Sequence, residues 1–284
     1  MFRTLIDAAT LSALSTQQIF IADCRFNLVD PSAGEVAYAQ GHLPGACYLH
    51  LDRDLSGVKT GRNGRHPLPD REVLAAKLRA CGLKAGQQVV AYDDSGGMFA
   101  ARLWWLLRWM GHRSVAVLDG GLNAWKAVDG RFEVGAPPLV CVGDFVPTAQ
   151  PVTEVVGADD LAQALSRRGD VVLVDARSPD RFRGENETLD PVGGHIPGAV
   201  NHFFMNNLDE TCRFRSPSQL RAAWLAVLGD TPPSQVIHQC GSGVTACVNV
   251  LAMEVAGLSG SAIYPGSWSE WCADAARPVA RGDA

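Results

Sequence analysis

The residue best placed to do chemistry is Cys240, in the run QVIHQ-CGSGVT-ACVNVLAMEVAG. The run before it is apolar and β-branched, and the run after it has helical periodicity. The cysteine therefore falls at the carboxyl end of a strand that feeds a short loop and then a helix. In open α/β sheets that edge is where ligands bind. Gly241 and Gly243 let consecutive backbone N–H groups turn inward, and the following helix aims its positive end at the same point. A thiol so placed is expected to ionise readily and to act as a nucleophile. The loop residues Gly241, Ser242, Gly243, Val244 and Thr245 are expected to surround the substrate. Ser242 either serves the reacting sulfur as a hydrogen-bond and proton partner or merely satisfies a loop amide. Thr245 is expected to cap the helix through its hydroxyl. The competing reading of the whole run is a buried strand-end cysteine beside an ordinary turn. Phosphoryl transfer is disfavoured, because a cysteine phosphatase needs an arginine in a C-x5-R loop and position 246 is Ala.

The elements that must position this loop occur twice. IFIADCR (19–25) resembles VVLVDAR (171–177), and GHLPGA (41–46) resembles GHIPGA (194–199). QVVAYDDSGG (88–97) resembles QVIHQCGSGV (235–244), and LDGGLNAW (118–125) resembles YPGSWSEW (264–271). Four blocks in one order, each repeated roughly 150 residues on, imply duplication. By this offset Asp93 stands where Cys240 stands, and a carboxylate lacks the nucleophilic sulfur of a thiol. Apolar runs alternate with helical patterns such as DREVLAAKLRACG, MFAARLWWLLRWMG and SQLRAAWLAVLG. The order strand–helix–strand–helix predicts an α/β fold of two tandem domains, each a parallel sheet with helices on both faces. The domains are expected at 1–130 and 153–284. A proline-bearing linker over 131–152, with Pro137, Pro138, Pro147 and Pro151, joins them.

Composition sets the outer bounds. The chain has 284 residues, 47% apolar and 19% charged, with a net charge of −5. That suits two cores and offers neither a nucleic acid nor a membrane a basic face. Asp7 interrupts the apolar run a secretory signal would need, so a cytoplasmic location is expected. The eight cysteines are scattered, without a C-x-x-C pair, and a disulfide framework or structural metal is not expected. The tryptophans at 104, 105 and 109, and those at 268 and 271, are expected to pack in cores.

The two-half pattern with GHIPGA, CGSGVT and GSWSEW resembles the rhodanese-type sulfurtransferases, more narrowly the tandem-domain 3-mercaptopyruvate sulfurtransferases. The resemblance covers nearly the whole chain. It implies a silent first domain and a second domain whose Cys240 takes sulfur from 3-mercaptopyruvate as a persulfide. An acceptor thiol, a reduced thioredoxin or cyanide then removes the sulfur, with no cofactor. Thiosulfate-preferring relatives carry basic residues in a C-R-K-G-V-T loop; here those positions are Gly241 and Ser242, which favours mercaptopyruvate. The alternatives are a thiosulfate:cyanide sulfurtransferase and a non-catalytic sulfur carrier. Arg181, in SPDRFRG, matches an arginine that contacts substrate in the family. The family's second substrate arginine falls at or near Asp190, a departure for which Arg183 is the candidate stand-in. His195 is expected to pin its own turn; His42 either does the same or, since the family places the matching histidine near the active cysteine, contacts the substrate side as a proton relay. Fusion of the two halves makes a monomer the expected state.

Overall fold

The computed structural model describes residues 1–14, 19–136, 141–167 and 169–283. It divides into two compact units. The first comprises Met1–Gly57, Leu68–Val152 and Glu210–Arg213; the second comprises Val58–Pro67, Thr153–Asp209 and Phe214–Ala284.

The first unit runs β1 (Leu5–Ile6), α1 (Ala8–Ala13), β2 (Ile19–Asp23), α2 (Ala33–Gln40), β3 (Cys47–Tyr48), α3 (Arg71–Ala80), β4 (Gln88–Tyr92), α4 (Ala100–Trp109), β5 (Val115–Leu118) and α5 (Gly121–Ala127). Its sheet has the order β1-β5-β4-β2-β3, every pair parallel. Val89, Val90 and Ala91 of β4 are fully buried, as a strand covered on both faces requires. The Asp70 side chain accepts from the Glu72 and Val73 amides and starts α3. Helix α4 is buried along almost its whole length, Arg102 and Arg108 included, which accords with its mainly apolar composition. Trp104 reaches the Arg3 carbonyl from this helix, and Trp105 stacks on Trp109.

The second unit repeats the plan with β6 (Glu154–Val155), α6 (Ala158–Ser166), β7 (Val172–Asp175), α7 (Pro179–Arg183), β8 (Val200–Asn201), α8 (Pro217–Leu228), β9 (Val236–Gln239), α9 (Ala246–Val255), β10 (Ala262–Ile263) and α10 (Ser267–Trp271). Its sheet order, β6-β10-β9-β7-β8, is that of the first unit strand for strand. Ser216 and Gln219 form a reciprocal capping box before α8, Pro217 opens the helix, and Gly229 closes it. One core gathers Leu161, Leu173, Ile237, Tyr264, Trp268 and Trp271.

Three findings differ from the sequence reading. The stretch 131–152 is no free linker. Gly143 donates to the Arg79 carbonyl, Phe145 to Leu83 and Val152 to Arg108, so the chain runs bonded along the ends of α3 and α4 within the first unit. Pro137 and Pro138 lie outside the described residues. Secondly, two short segments change allegiance: 58–67, just before α3, belongs to the second unit, and 210–213, just before α8, to the first. Thirdly, Cys47 and Cys81 form a disulfide. The start of β3 and the C-terminal end of α3 bring their Cα atoms to 6.0 Å, a proximity that a sequence separation of 34 conceals.

Candidate active site

Each unit builds its strand-end loops on the same buried frame. Arg25 grips Asp23 with Nε and Nη2, and Nη2 also donates to the Gly41 carbonyl at 2.7 Å. Arg177 grips Asp175 in the same way and donates to the Gly194 carbonyl at 2.8 Å. The two GH-[LI]-PGA turns are thereby tied to β2 and β7. Their histidines match as well. His42 Nδ1 donates to the Tyr38 carbonyl and the ring stacks on Tyr38 at 3.8 Å. His195 Nδ1 donates to the Phe182 carbonyl and the ring stacks on Phe182 at 3.8 Å.

The loop after β4 shows what this architecture does with an anion. Asp93 Oδ1 accepts from the Ser95 and Gly97 amides, and Oδ2 from Phe99 and Ala100, at 2.8–2.9 Å. Four converging N–H groups enclose the first unit's own carboxylate.

In the second unit Cys240 follows β9 directly. Its amide donates to Ser267 Oγ, its carbonyl accepts from the Trp268 amide, and the Gly241 carbonyl accepts from Ser269, each at 3.0 Å. Ser267 holds a positive φ of 56°, an unfavourable state for a residue with a side chain, at the point where α10 meets the loop. Gly243 has φ +75°, and a Cβ there would lie 2.3 Å from the Pro265 carbonyl oxygen. Glycine is required at 243 on both counts. Cys240 is 2% exposed. Ser242, also buried, places Oγ 2.7 Å from His66 Nδ1. The segment carrying His66 is held to the second unit where the Arg65 amide donates to Ser269 Oγ.

Two guanidiniums border the loop. A Cβ on Gly241 would lie 2.8 Å from Arg65 Nη2 and 3.4 Å from Arg181 Nη2, so the space of a side chain at 241 is filled by cations. Arg181 is held by Glu187 through Nε and Nη2. Arg65 pairs with Asp190, whose other oxygen is 3.6 Å from Arg181 Nη2. Burial raises the Asp190 carboxyl above its ordinary value, with Arg65 opposing. Glu187 sits below its ordinary value: burial works against this, but the Leu189 amide and Arg181 outweigh it. Burial likewise opposes the charge on Arg177, yet Asp175, Glu187 and Cys240 hold that guanidinium above its usual value.

Of the residues expected from sequence, Cys240, Gly241, Ser242, Gly243, Val244 and Thr245 form one loop, and Arg181 stands beside it. Arg183 does not join them. It pairs with Glu185 and Asp283 at the surface, because α7 points residues two apart in different directions. His42 has the loop-pinning environment of His195, buried at 1%, rather than that of a relay. Thr245 is the N-cap of α9 but makes no side-chain cap bond. Its φ/ψ of −71°/−19° is helical, whereas a capping hydroxyl needs extended backbone. Trp268 supports the loop, its indole donating to Val192 and its ring lying 4.9 Å from the Arg177 guanidinium. Sequence reasoning missed Arg65, His66, Glu187 and the buried Asp175–Arg177 pair. The one signal for the first two was a glycine- and proline-bearing stretch, GRNGRHPLP, rich in base yet outside every repeated block.

Comparison with known proteins agrees with the duplication. The Rhodanese-like domain family matches residues 7–128 and again 157–274. A Pseudomonas aeruginosa protein named "Probable 3-mercaptopyruvate sulfurtransferase" is 48% identical over 283 residues, 98% of either chain. The 3-mercaptopyruvate sulfurtransferase of Escherichia coli K12 is 34% identical over 85% of this chain and 84% of its own. The thiosulfate sulfurtransferase of Bos taurus is 35% identical over 82% of this chain and 78% of its own. Among solved structures, the E. coli 3-mercaptopyruvate sulfurtransferase superposes with a TM-score of 0.80 at 30% identity, covering 94% of this chain and 99% of that one. With two matched domains spanning most of its length and full-length relatives well above 30% identity, the chain belongs to the rhodanese-like family, in its tandem-domain form.

Proposed function

We propose that this protein is a sulfurtransferase that moves sulfur from 3-mercaptopyruvate to an acceptor through a persulfide on Cys240. The observation that carries the reading is the loop itself: a cysteine at the carboxyl end of β9, a buried Ser242–His66 pair beside it, and two guanidiniums over Gly241. The names of the Pseudomonas aeruginosa and Escherichia coli relatives support the donor.

The Cys240 thiolate attacks the donor sulfur, and the bond between that sulfur and the donor's C3 breaks. The electron pair departs on the carbon as the enolate of pyruvate. The donor's thiol proton ends on that carbon, so the products are an enzyme persulfide anion and pyruvate. Ser242, two residues on in the same loop and polarised by His66 at 2.7 Å, passes that proton. Arg181 receives the donor carboxylate. The persulfide's charge is held by the loop amides and the positive end of α9, in the manner the Asp93 loop displays for a carboxylate. A nucleophilic acceptor, a thiolate or cyanide, takes the terminal sulfur and returns the thiolate. The Bos taurus relative keeps thiosulfate as a second donor to test.

Intact mass spectrometry after exposure to 3-mercaptopyruvate tests the proposal. A gain of one sulfur atom, mapped to Cys240 and absent in Cys240→Ser, is expected. A wild-type chain that releases no pyruvate and gains no sulfur refutes it.

A further inference from the structure

Resting on the sulfur-transfer reading, the charge balance over Gly241 bears on which donors the loop admits. From Gly241 to Thr245 the loop has no charged side chain. Its positive charge comes from Arg65 and Arg181, which arrive from other segments and fill the space above Gly241. Neither cation is free. Glu187 occupies Arg181, and Asp190 occupies Arg65 while standing 3.6 Å from Arg181. Both carboxylates are 3% exposed, so solvent screens them little. Two positive and two negative groups leave the cluster near neutrality.

Asp190 is an expensive way to fill this space. Its Oδ2 is buried and has no hydrogen-bond partner among the described residues. A buried carboxylate with an unsatisfied oxygen is disfavoured for folding, and an amide or apolar group of the same size would cost less. The charge also lies where a reacting anion must enter. We propose that Asp190 is a specificity-determining residue: it fixes Arg65 above Gly241 and cancels its charge, so that the loop admits a monoanionic α-keto thiol and turns away a dianionic sulfur donor. A monoanion brings a single charge and meets Arg181 Nη1, 3.7 Å from the Cβ position of Gly241, the Glu187 bonds being made by Nε and Nη2. A dianion such as thiosulfate brings a second charge that Asp190 repels directly and that Arg65, already neutralised, does not offset. Asp190 acts through Arg65 and the local field, as a positioning residue rather than a catalytic one.

The test compares kcat/KM for thiosulfate with kcat/KM for 3-mercaptopyruvate in the full chain, cyanide being the acceptor in both. Asp190→Asn, which keeps the shape and removes the charge, should raise the thiosulfate-to-mercaptopyruvate ratio by about tenfold or more, mainly through a lower KM for thiosulfate. Arg65→Gln should move the ratio the other way, because Asp190 is then left unbalanced. An unchanged ratio in Asp190→Asn with wild-type circular dichroism, or a raised ratio in Arg65→Gln, overturns the proposal. If Asp190→Asn fails to fold, Arg65→Gln decides alone: a lower ratio supports the proposal and any other result overturns it. Failure of the underlying reading looks different, since wild-type protein would then acquire no sulfur on Cys240 from either donor.

Discussion

Adding one methyl group at either glycine of the loop should have opposite consequences. At Gly243 the new Cβ would sit 2.3 Å from the Pro265 carbonyl oxygen and 3.0 Å from its carbon and Cα, all backbone atoms that cannot swing aside. The residue would also keep φ +75°. The left-handed conformation costs about 1–2 kcal/mol for a residue with a side chain, and the forced repacking about 1–3 kcal/mol more. Gly243→Ala should therefore lose about 2–5 kcal/mol, a large share of the stability of a typical domain. At Gly241 the nearest atoms are the tips of Arg65 and Arg181, at 2.8 and 3.4 Å, and flexible side chains can retreat. Gly241→Ala should stay within about 1 kcal/mol of wild type in stability while displacing the donor-binding cations. Urea unfolding with a constant m-value measures the first quantity. Single-turnover release of pyruvate across donor concentrations measures the second, and should show a raised donor requirement in Gly241→Ala. Equal stability of the two variants, or a greater loss at 241, would refute the backbone argument.

Two further outcomes follow from neighbouring geometry. Ser242→Ala and His66→Gln should each slow persulfide formation by about 10²-fold or more, and the double variant should be no slower than the worse single one, because the pair acts as a unit; multiplicative losses in pre-steady-state rates would separate them. His238, buried on β9, has its pKa pushed down to about 3 by burial, from 6.5. The unfolded chain therefore binds a proton that the folded one refuses below pH 6.5, and stability falls as pH drops through that window towards 3. At pH 5 the loss is about 2 kcal/mol, which His238→Met should largely abolish in urea titrations at pH 7 and pH 5; an identical pH dependence in the variant would exclude this residue as the cause.

Most of the scaffold could be read from residue pattern because it depends on local rules. The strands Gln88–Tyr92 and Val236–Gln239 are short apolar runs between helices, and Gly229 and Asp70 mark helix ends by backbone chemistry that holds in any protein. Duplication then supplied the topology, since a block found twice must occupy equivalent places. What escaped reading depends on contacts between distant residues. His66 reaches Ser242 across a sequence separation of 176, and Arg65 reaches Asp190 across 125. Neither has a counterpart in the repeated blocks. The Arg183 assignment failed for a related reason: it sought a missing charge nearby in sequence, whereas the second guanidinium comes from a segment of the first half that belongs to the second unit.

If only the second half reacts, as proposed, the two loops account for a half that gives up its chemistry and keeps its fold. The frame beneath each is an Asp–Arg pair bonded to a GH-[LI]-PGA turn, and it is the same to within a few tenths of an ångström in its hydrogen bonds. What differs is where the negative charge resides. In the first unit it is inside the loop, where Asp93 accepts from four amides. In the second unit the strand-end residue is a cysteine, and the carboxylates stand outside on the arginines. An internal anion stabilises a loop and ends its chemistry, because no other anion can compete with one that is covalently tethered. Moving the carboxylates outward keeps the field balanced while leaving the cradle open to charge that appears only during reaction. On this argument the separation between a structural loop and a reactive one lies less in backbone geometry than in the placement of Asp93, Glu187 and Asp190.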